Sequence, residues 1–325
     1  MNVRNTEKSV QQAAGFEQPL VLTFGQDVRG FMFRHLGRLT LFILTCTSVL
    51  AVFLIFLFVI LEAFPFLEKS SLVQFLTSTS WYPEHKAQPE FGTLALIVGS
   101  VYVTAAALLF SVPIGVLAAV FLSDIVPFRV RNIIKPVIEI LAAIPSVAYG
   151  FFAVLVLAPW LQKYLGFSTG TNALNASLLL SIMALPTIIS MAEDSISATG
   201  RELREASYGL GATRVETMFK VVIPAAHSGI IAAIVLGMMR AIGETMVVWM
   251  ASGNASQIPH PWWDLSQSVR TMTATIAGEM GETVKGSDHY RALFAIGLLL
   301  LVMTLMLNLV SEYFLTRAKK SLGKS

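Results

Sequence analysis

Two charged side chains, Arg240 and Glu244, interrupt an apolar run that extends from Val221 to Ser252. Because they are four residues apart, a continuous helix would place them on one face, one turn from each other. A charge deep in a membrane costs about 2.5–3.5 kcal/mol on insertion scales, so neither side chain is expected to face lipid. A guanidinium carries a permanent charge and a planar fork of donors that fits an oxyanion. The pair therefore predicts a substrate site on a polar pathway.

In this interpretation Arg240 binds the anion. Glu244 either holds the guanidinium in place or lowers its affinity for the anion, so that the anion can leave. The alternative is a structural ion pair that neutralises itself and locks the helix against its neighbours. Such a pair is a costly way to gain packing that apolar residues would also provide. Both interpretations remain open from the sequence.

A second set of residues precedes this run at fixed spacings. Glu205, Ala206 and Ser207 are followed after three residues by Gly211, and Pro224 closes the segment. We expect a helix with a face of small residues, a turn that requires glycine, and a second short helix stopped by proline. Because small residues let another protein approach closely, the segment is expected to be a docking handle outside the membrane.

The elements that must position both sets are membrane helices. Of the 325 residues, 55% are hydrophobic and only 13% are charged, which departs from the balance of a soluble domain. Backbone groups in lipid must be hydrogen-bonded within their own segment, so apolar runs of roughly 20 residues indicate transmembrane helices. We predict an all-α membrane protein with six transmembrane helices, at Leu39–Leu61, Gly92–Leu122, Ile140–Gln162, Ala173–Ala192, Val221–Ser252 and Ala292–Ser311.

The distribution of Lys and Arg predicts the orientation of these helices. Of 23 such residues, 16 lie in alternate segments, namely the N-terminal arm, residues 123–136, residues 193–224 and the tail. Six lie in the other three loops, and cytoplasmic loops carry the excess of positive charge. Both termini should therefore be cytoplasmic. The basic residues form no single stripe and accompany no recognition motif, so we expect no nucleic-acid partner.

The predicted organisation follows from these spans. A cytoplasmic arm (residues 1–38) precedes a first transmembrane helix and outer loop (39–90), a transmembrane domain of five helices (91–315) and a basic cytoplasmic tail (316–325). The tail should lie near anionic membrane lipid. The domain contains the docking loop at about 193–225 and an outer loop at about 253–290.

Several residues should shape the spans and the outer loop. Pro145 and Gly150 are expected to interrupt the third span, either to line a cavity or to pack, whereas Pro186 favours packing in the fourth span. Trp262 and Trp263 are expected to be interfacial anchors. Residues 265–280, which are too polar for a seventh span, should form a helix on the outer face.

The spacing from Glu205 to Pro224 resembles the EAA signature of permease subunits of binding-protein-dependent ABC importers. That signature reads E-A-A, three residues, G, nine residues, I, one residue, L-P, and this chain departs from it at Ser207, Val221 and Ile223. Within the family, the segments AAIPSVAYGFF, RAIGETMVV and TMTATIAGEMGE resemble the PstC group of phosphate importer permeases. The resemblance covers most of the chain from about Phe91 to Glu312.

This resemblance implies the type I ABC importer permease fold, in the bacterial cytoplasmic (inner) membrane. The implied partners are a sister permease of the PstA type, an ATPase dimer of the PstB type that binds ATP and Mg, and an outer phosphate-binding protein of the PstS type. The EAA loop would dock on the ATPase, and Arg240 and Glu244 match the positions critical for transport. The chain has no Walker A sequence and no metal-ligand spacing, so we expect neither ATPase activity nor a cofactor of its own.

The expected function is import of inorganic phosphate, with ATP hydrolysed by a partner. A permease for sulfate, molybdate or phosphonate is an alternative within the same class. A membrane scaffold that mainly signals phosphate status is an alternative from another class. A secondary, ion-coupled transporter is disfavoured because it leaves the EAA spacing unexplained.

Overall fold

The computed structural model describes residues 24–85 and 89–321. Most of the predicted N-terminal arm and the end of the basic tail therefore lie outside the described residues. The chain consists of two compact units, Met1–Phe58 and Val59–Ser325. In the first unit the described residues belong to one helix, α1 (Phe24–Lys69), which continues into the second unit. From residue 39 to 58 nearly all its side chains are apolar and exposed, as in a helix that faces lipid.

Six helices are long and apolar enough to cross a membrane, which confirms the predicted number. The third helix begins later than predicted and the fifth ends earlier, and both differences have local causes described below. The six spans are His35–Lys69, Leu94–Ile125, Ser146–Leu165, Ala173–Ser197, Arg214–Ile242 and Asp288–Val310.

A small cap follows the first span. Helix α2 (Leu72–Thr77) leads into an antiparallel ribbon of β1 (Trp81–Tyr82) and β2 (Glu90–Phe91), in which Trp81 lies opposite Phe91. Phe66, Phe75 and Trp81 are buried here with residues of the last span. A two-stranded ribbon of this size was not expected in an all-α chain, because two residues per strand leave no periodicity to detect.

Three helices form the centre of the second unit. They are α3 (Leu94–Val120), which is extended by a π-helical turn to Ile125, α7 (Ala173–Ser197) and α10 (Ile223–Ile242). Gly115 of α3 and Gly237 of α10 both lie against the buried side chain of Ile188 in α7. Because glycine has no side chain, membrane helices can approach each other closely at these positions. Pro186 is buried within the continuous α7, as the packing interpretation predicted.

The third span is broken at its start. Amphipathic helix α4 (Phe128–Ala143) ends before Ile144 and Pro145, whose backbones are extended. The chain then forms α5 (Ser146–Phe152), a π-helical turn (Ala153–Leu157) and α6 (Ala158–Leu165). The interruption at Pro145 is confirmed, because proline disfavours a helical conformation in the preceding residue. At Gly150 the helix continues, and the missing side chain makes room for Met250.

The docking loop leads directly into the fifth span. Helix α8 (Glu202–Gly209) is followed by α9 (Arg214–Thr217), a π-helical turn (Met218–Val222) and α10. The expectation that Pro224 stops the second short helix is wrong. Pro224 occupies the first turn of α10. The wider π-helical turn before it accommodates the missing N–H, so the helical path continues.

The chain after α10 forms helices α11 (Met246–Ala251), α12 (Met272–Glu279) and α13 (Asp288–Ser321). The expected surface helix over residues 265–280 is wrong in extent and position. Only Met272–Glu279 is helical, and its first four residues are buried. Trp262 and Trp263 are exposed, as membrane anchors should be, and their rings meet edge to face.

Candidate functional site

The helix that carries Arg240 ends before it reaches Glu244. Helix α10 stops at Ile242, and the N–H of Glu244 donates to the carbonyl of Ala241 at 3.2 Å in a tight turn. Oε1 of Glu244 then accepts the N–H of Val247 at 3.4 Å, which caps the start of α11. The prediction that Arg240 and Glu244 share one face of a continuous helix is therefore wrong. The sequence signal for the break is Gly243 beside a residue that can cap the next helix.

Arg240 donates a hydrogen bond to the C-terminal end of another helix, α4. Its Nη2 donates to the carbonyl of Ala142, in the last turn of α4, at 3.4 Å. The neighbouring carbonyl of Leu141 would accept an N–H from residue 145 in a continuous helix, but proline has none. This carbonyl accepts the hydroxyl of Tyr149 at 3.0 Å and the N–H of Ile144 at 3.4 Å. The carbonyl end of a helix carries partial negative charge, so this end of α4 attracts the guanidinium.

The position of Arg240 along its span follows from helix packing. A β-carbon on Gly237 would lie 2.6 Å from the Ile188 side chain of the antiparallel helix α7. Arg240 is three residues further along α10, about 4.5 Å at the usual helical rise, which brings it level with Leu185. Leu185 is the central residue of α7 (Ala173–Ser197). Arg240 therefore lies level with the middle of α7.

The guanidinium keeps its charge available. The self-neutralising ion pair considered as the structural alternative does not form between Arg240 and Glu244, and no other described carboxylate makes an ion pair with Arg240. Its side chain is exposed on the surface of the isolated chain. One backbone carbonyl is its hydrogen-bond acceptor in the described part of the protein. Donors on a planar fork therefore remain for an anion or a partner subunit.

Glu244 faces a small cavity lined by hydroxyl groups. The cavity has a volume of about 10 Å³, enough for about one water molecule. Its polar lining includes Ser100, Thr104, Thr271 and Thr273. The Thr273 hydroxyl donates to the carbonyl of Glu244 at 2.9 Å, and the N–H of Met272 donates to the Ser100 hydroxyl at 3.0 Å. The buried start of α12 is thereby joined to the break between α10 and α11.

The EAA-like residues lie on a separate surface. Gly211 has φ +84°, the left-handed conformation that favours glycine, so the predicted glycine turn is confirmed. Ser207, which replaces alanine of the signature, is buried, and its hydroxyl lies 2.8 Å from that of Thr217. Glu205 and Ala206 are exposed. Helices α8 and α9 are thus joined on one side and open on the other.

The open side of the docking loop is unusually apolar for a polar segment. Leu210 is 89% exposed, and four other large apolar side chains in the loop are also exposed. Exposed apolar patches of this kind mark protein-interaction surfaces. The four are Leu203, Tyr208, Val215 and Phe219.

Arg204 fastens the docking loop to the membrane helices. Its Nε and Nη2 donate to the two carboxylate oxygens of Asp124 at 2.8 and 3.3 Å. Nη2 also donates to the carbonyl of Ile196 at 3.1 Å, and Nη1 donates to the Thr199 hydroxyl and the Gly200 carbonyl at 3.1 and 2.6 Å. These five bonds match the five N–H donors of a guanidinium.

A buried charge cluster lies beside Arg204. Glu193 of α7 is 1% exposed and makes ion pairs with Arg131 and Lys135 of α4. Lys135 Nζ also lies 2.6 Å from Asp194 Oδ1. The sequence reasoning treated Arg131, Lys135 and Arg204 as topology signals only. The sequence does contain a signal for this cluster. Two cations, Arg131 and Lys135, lie one turn apart on an amphipathic helix, and this spacing lets both bind one acidic side chain.

A cavity of about 820 Å³ lies between the cap and the chain around α11 and α12, with Trp81, Trp249 and Glu279 in its lining. The carboxylate of Glu279 lies at its wall and accepts the indole N–H of Trp81 at 3.0 and 3.1 Å. It also accepts Nη1 of Arg270 at 2.8 Å and lies 2.8 Å from Nε2 of His289. Glu279 thus joins the cap, the loop after α11 and the last span.

Comparisons with known proteins identify the family of this chain. The model of the family described as binding-protein-dependent transport system inner membrane component matches residues 111–320. The probable ABC transporter permease protein YqgH of Bacillus subtilis (strain 168) is 40% identical over 249 residues, which cover 77% of this chain and 79% of that protein. The phosphate transport system permease protein PstC of Mesorhizobium japonicum is 36% identical over 268 residues, or 77% of this chain and 80% of that protein.

The fold is also similar to a solved structure. A chain from a bacterial alginate ABC transporter, crystallised in complex with an alginate pentasaccharide-bound periplasmic protein, has a TM-score of 0.58 and 17% identity. The match covers 89% of this chain and 98% of that one. At this identity the likeness concerns the fold alone.

Proposed function

Since the chain belongs to the family of binding-protein-dependent transport system inner membrane components, we propose that it is a permease subunit specific for inorganic phosphate. Membership of this family establishes that the chain is a multi-pass inner-membrane permease subunit of a binding-protein-dependent ABC importer, with the type I permease fold. It is not the ATPase, because ATP is hydrolysed by partner subunits of such importers. Phosphate as the cargo is our proposal.

The observation that carries the proposal is the unpaired guanidinium of Arg240, level with the middle of α7. A charged residue inside the membrane is costly, and in membrane proteins such residues mark substrate pathways. Its single described acceptor is a backbone carbonyl, which is neutral, so an oxyanion would meet a full positive charge. Bidentate binding by a planar fork suits phosphate oxygens. Relatives named PstC support phosphate among the oxyanions.

The proposed complex contains a sister permease of the PstA type, an ATPase dimer of the PstB type and a phosphate-binding protein of the PstS type. The exposed apolar side of α8 and α9 would dock on the ATPase, which binds ATP and Mg. The 820 Å³ cavity would lie on the side of the binding protein. This assignment follows the excess of basic residues on the side of the docking loop.

In the proposed cycle, ATP binding closes the ATPase dimer and moves the docking loop, so that the permease pair opens outward. Phosphate released by its carrier passes Arg240, and Glu244 keeps the affinity low enough for release. Arg240 binds and orients, and no covalent step takes place on this chain.

The test is uptake of labelled phosphate by cells that contain the whole transporter, with Arg240→Gln compared with the unchanged chain at matched membrane abundance. The variant keeps a polar side chain but loses the charge, and we expect uptake to fall at least about tenfold, since a charge-assisted bond contributes about 1.5–3 kcal/mol. Arg38→Gln is the matched control, because Arg38 is exposed, precedes the apolar part of the first span and lies outside the docking loop. Normal uptake by Arg240→Gln would remove the residue from the pathway.

A related oxyanion is the second candidate cargo, because the relative with 40% identity is named only as a probable ABC transporter permease. Excess sulfate, molybdate or phosphonate added to the same assay separates the candidates. Uptake that resists all three supports phosphate. Competition by one of them would assign the permease to that anion and leave the role of Arg240 to be tested with it.

A further inference from the structure

Arg204 connects the docking loop to the ends of two spans at once. It precedes Glu205 directly, and its guanidinium reaches Asp124 after α3 and the last turn of α7. No donor of the guanidinium is left over, so a lysine, with one nitrogen, could not replace the five bonds. Any displacement of α8 by the ATPase therefore pulls on both spans rather than on a flexible connection.

The contacts continue from this point to α4. The Ser123 hydroxyl, next to Asp124, lies 3.4 Å from that of Ser197, which donates to Glu193 at 2.9 Å. Glu193 is buried and pairs with both cations of α4, Arg131 and Lys135. Removing one partner from a buried pair is strongly unfavourable, so these contacts hold α4 to the end of α7 under load.

Helix α4 is suited to transmit a displacement because little else restrains it. It has no buried residue along its 16 positions. The described side-chain bonds to it are made at Arg131 and Lys135 in its first half, and at the carbonyls of Leu141 and Ala142 in its last turn.

Pro136 lies inside α4 and removes the hydrogen bond to the carbonyl of Asn132, so the helix is weakest between the charge cluster's first cation and its second. The seven residues from Lys135 to Ala142 follow as helix over about 10 Å, so a shift at Lys135 displaces the carbonyl of Ala142.

We propose that α4 is the lever by which the docking loop moves the acceptor of Arg240, and that Arg204 is the positioning residue that connects the loop to this lever. When the loop moves, the Ala142 carbonyl approaches or leaves the guanidinium, which changes the number of donors that Arg240 offers to an anion. ATP turnover thereby controls anion affinity at a site to which the ATPase does not bind. The role in anion affinity rests on the proposed function, whereas the mechanical connection does not depend on the cargo.

The experiment measures the lever directly in the assembled transporter. Cys46→Ser removes the single native cysteine, and Ile140→Cys places a thiol on the exposed side of α4, two residues before Ala142, whose carbonyl accepts from Arg240. The rate of thiol modification is measured with and without ATP plus vanadate. We expect the nucleotide-dependent change in rate to be lost with Arg204→Lys and kept with Arg38→Lys, a matched change at an exposed arginine outside the docking loop.

In parallel, proteoliposomes are assayed for labelled phosphate uptake and ATP hydrolysis. For Arg204→Lys we expect ATP hydrolysis to continue while phosphate moved per ATP falls at least about fivefold, the lower bound of typical coupling between sites. A purely structural defect would lower assembly and both activities together. If Arg204→Lys does not assemble, Asp124→Ala, which removes two of the five bonds of Arg204 and leaves three, is held to the same criteria.

A nucleotide-dependent change in thiol modification that persists in these variants would contradict the proposal that α4 is the lever. So would unchanged phosphate per ATP in either variant. If the unchanged transporter moves no phosphate but shows the nucleotide-dependent change, and Arg204→Lys abolishes it, then the cargo proposal fails and the lever stands.

Discussion

At the scale of single residues, the site depends on which backbone groups have lost their helical partners. Pro145 deprives Leu141 of an N–H donor, and the ends of α4 and α10 lie at similar depth. The Leu141 carbonyl bonds to the N–H of Ile144 and the hydroxyl of Tyr149, and the Ala142 carbonyl bonds to Arg240 from another element. Arg240 is thus held in place by a neutral group and keeps its full charge, whereas a carboxylate partner would have cancelled it.

Glu244 caps helix α11, and the proposed function also gives it a role as a negative charge beside the path of the anion. Glu244→Gln keeps an oxygen acceptor for the N–H of Val247 but loses the charge. We expect unchanged thermal stability of the purified complex, a lower KM for phosphate and a lower kcat, because the anion is held more tightly and leaves more slowly. Glu244→Ala, which also removes the cap, should cost in addition about 1 kcal/mol of stability.

Uptake kinetics and thermal unfolding of the two variants in detergent are the measurements. If Glu244→Gln leaves both KM and kcat as they were while Glu244→Ala loses stability, the residue is a cap and has no part in transport.

At the scale of elements, the docking loop depends on one backbone conformation. Gly211 has φ +84° with open space around it, whereas Gly209 ends helix α8, also with open space, and its φ is not in the left-handed region. Gly211→Ala should therefore strain the turn by about 1–2 kcal/mol. Gly209→Ala should be neutral or slightly stabilising, because alanine favours a helix over glycine.

We expect Gly211→Ala to weaken binding of the ATPase by about 5–30-fold, the equivalent of 1–2 kcal/mol. Hydrogen exchange over residues 205–217 should rise in the same variant. Binding is measured with the purified permease pair and ATPase. Equal affinities for the two alanine variants would contradict a role for the left-handed turn.

The elements differ in how far the sequence specifies them. The six spans were predictable because apolar length is a local property, and so was the break at Pro145. The end of α10 was not, because residues 246–251 remain apolar. That break depends on the Glu244 cap and on Thr273, which bonds to the Glu244 carbonyl from 29 residues away. The burial of Glu193 likewise requires Arg131 and Lys135, 62 and 58 residues earlier, and no local pattern reports such pairs.

At the scale of the whole molecule, the orientation in the membrane is a prediction from the charge distribution. Leu210 of the docking loop and Val284 before the last span are 89% and 76% exposed, and they lie on opposite faces of the predicted bundle. In a Cys46→Ser background, a membrane-impermeant thiol reagent added to intact spheroplasts should label Val284→Cys and not Leu210→Cys. Inside-out vesicles should give the reverse pattern. Labelling of Leu210→Cys in spheroplasts would invert the predicted topology.

The exposed guanidinium also has a consequence for how the protein is made. A single chain inserted into the bilayer places a fixed charge against lipid tails, with one carbonyl to offset it. Only a second subunit or a water-filled path between two subunits removes that exposure. The exposed charge therefore distinguishes an unassembled copy from an assembled one, and membrane proteases can recognise and degrade that copy. Synthesis of the two permeases in matched amounts would then be a condition for the survival of either.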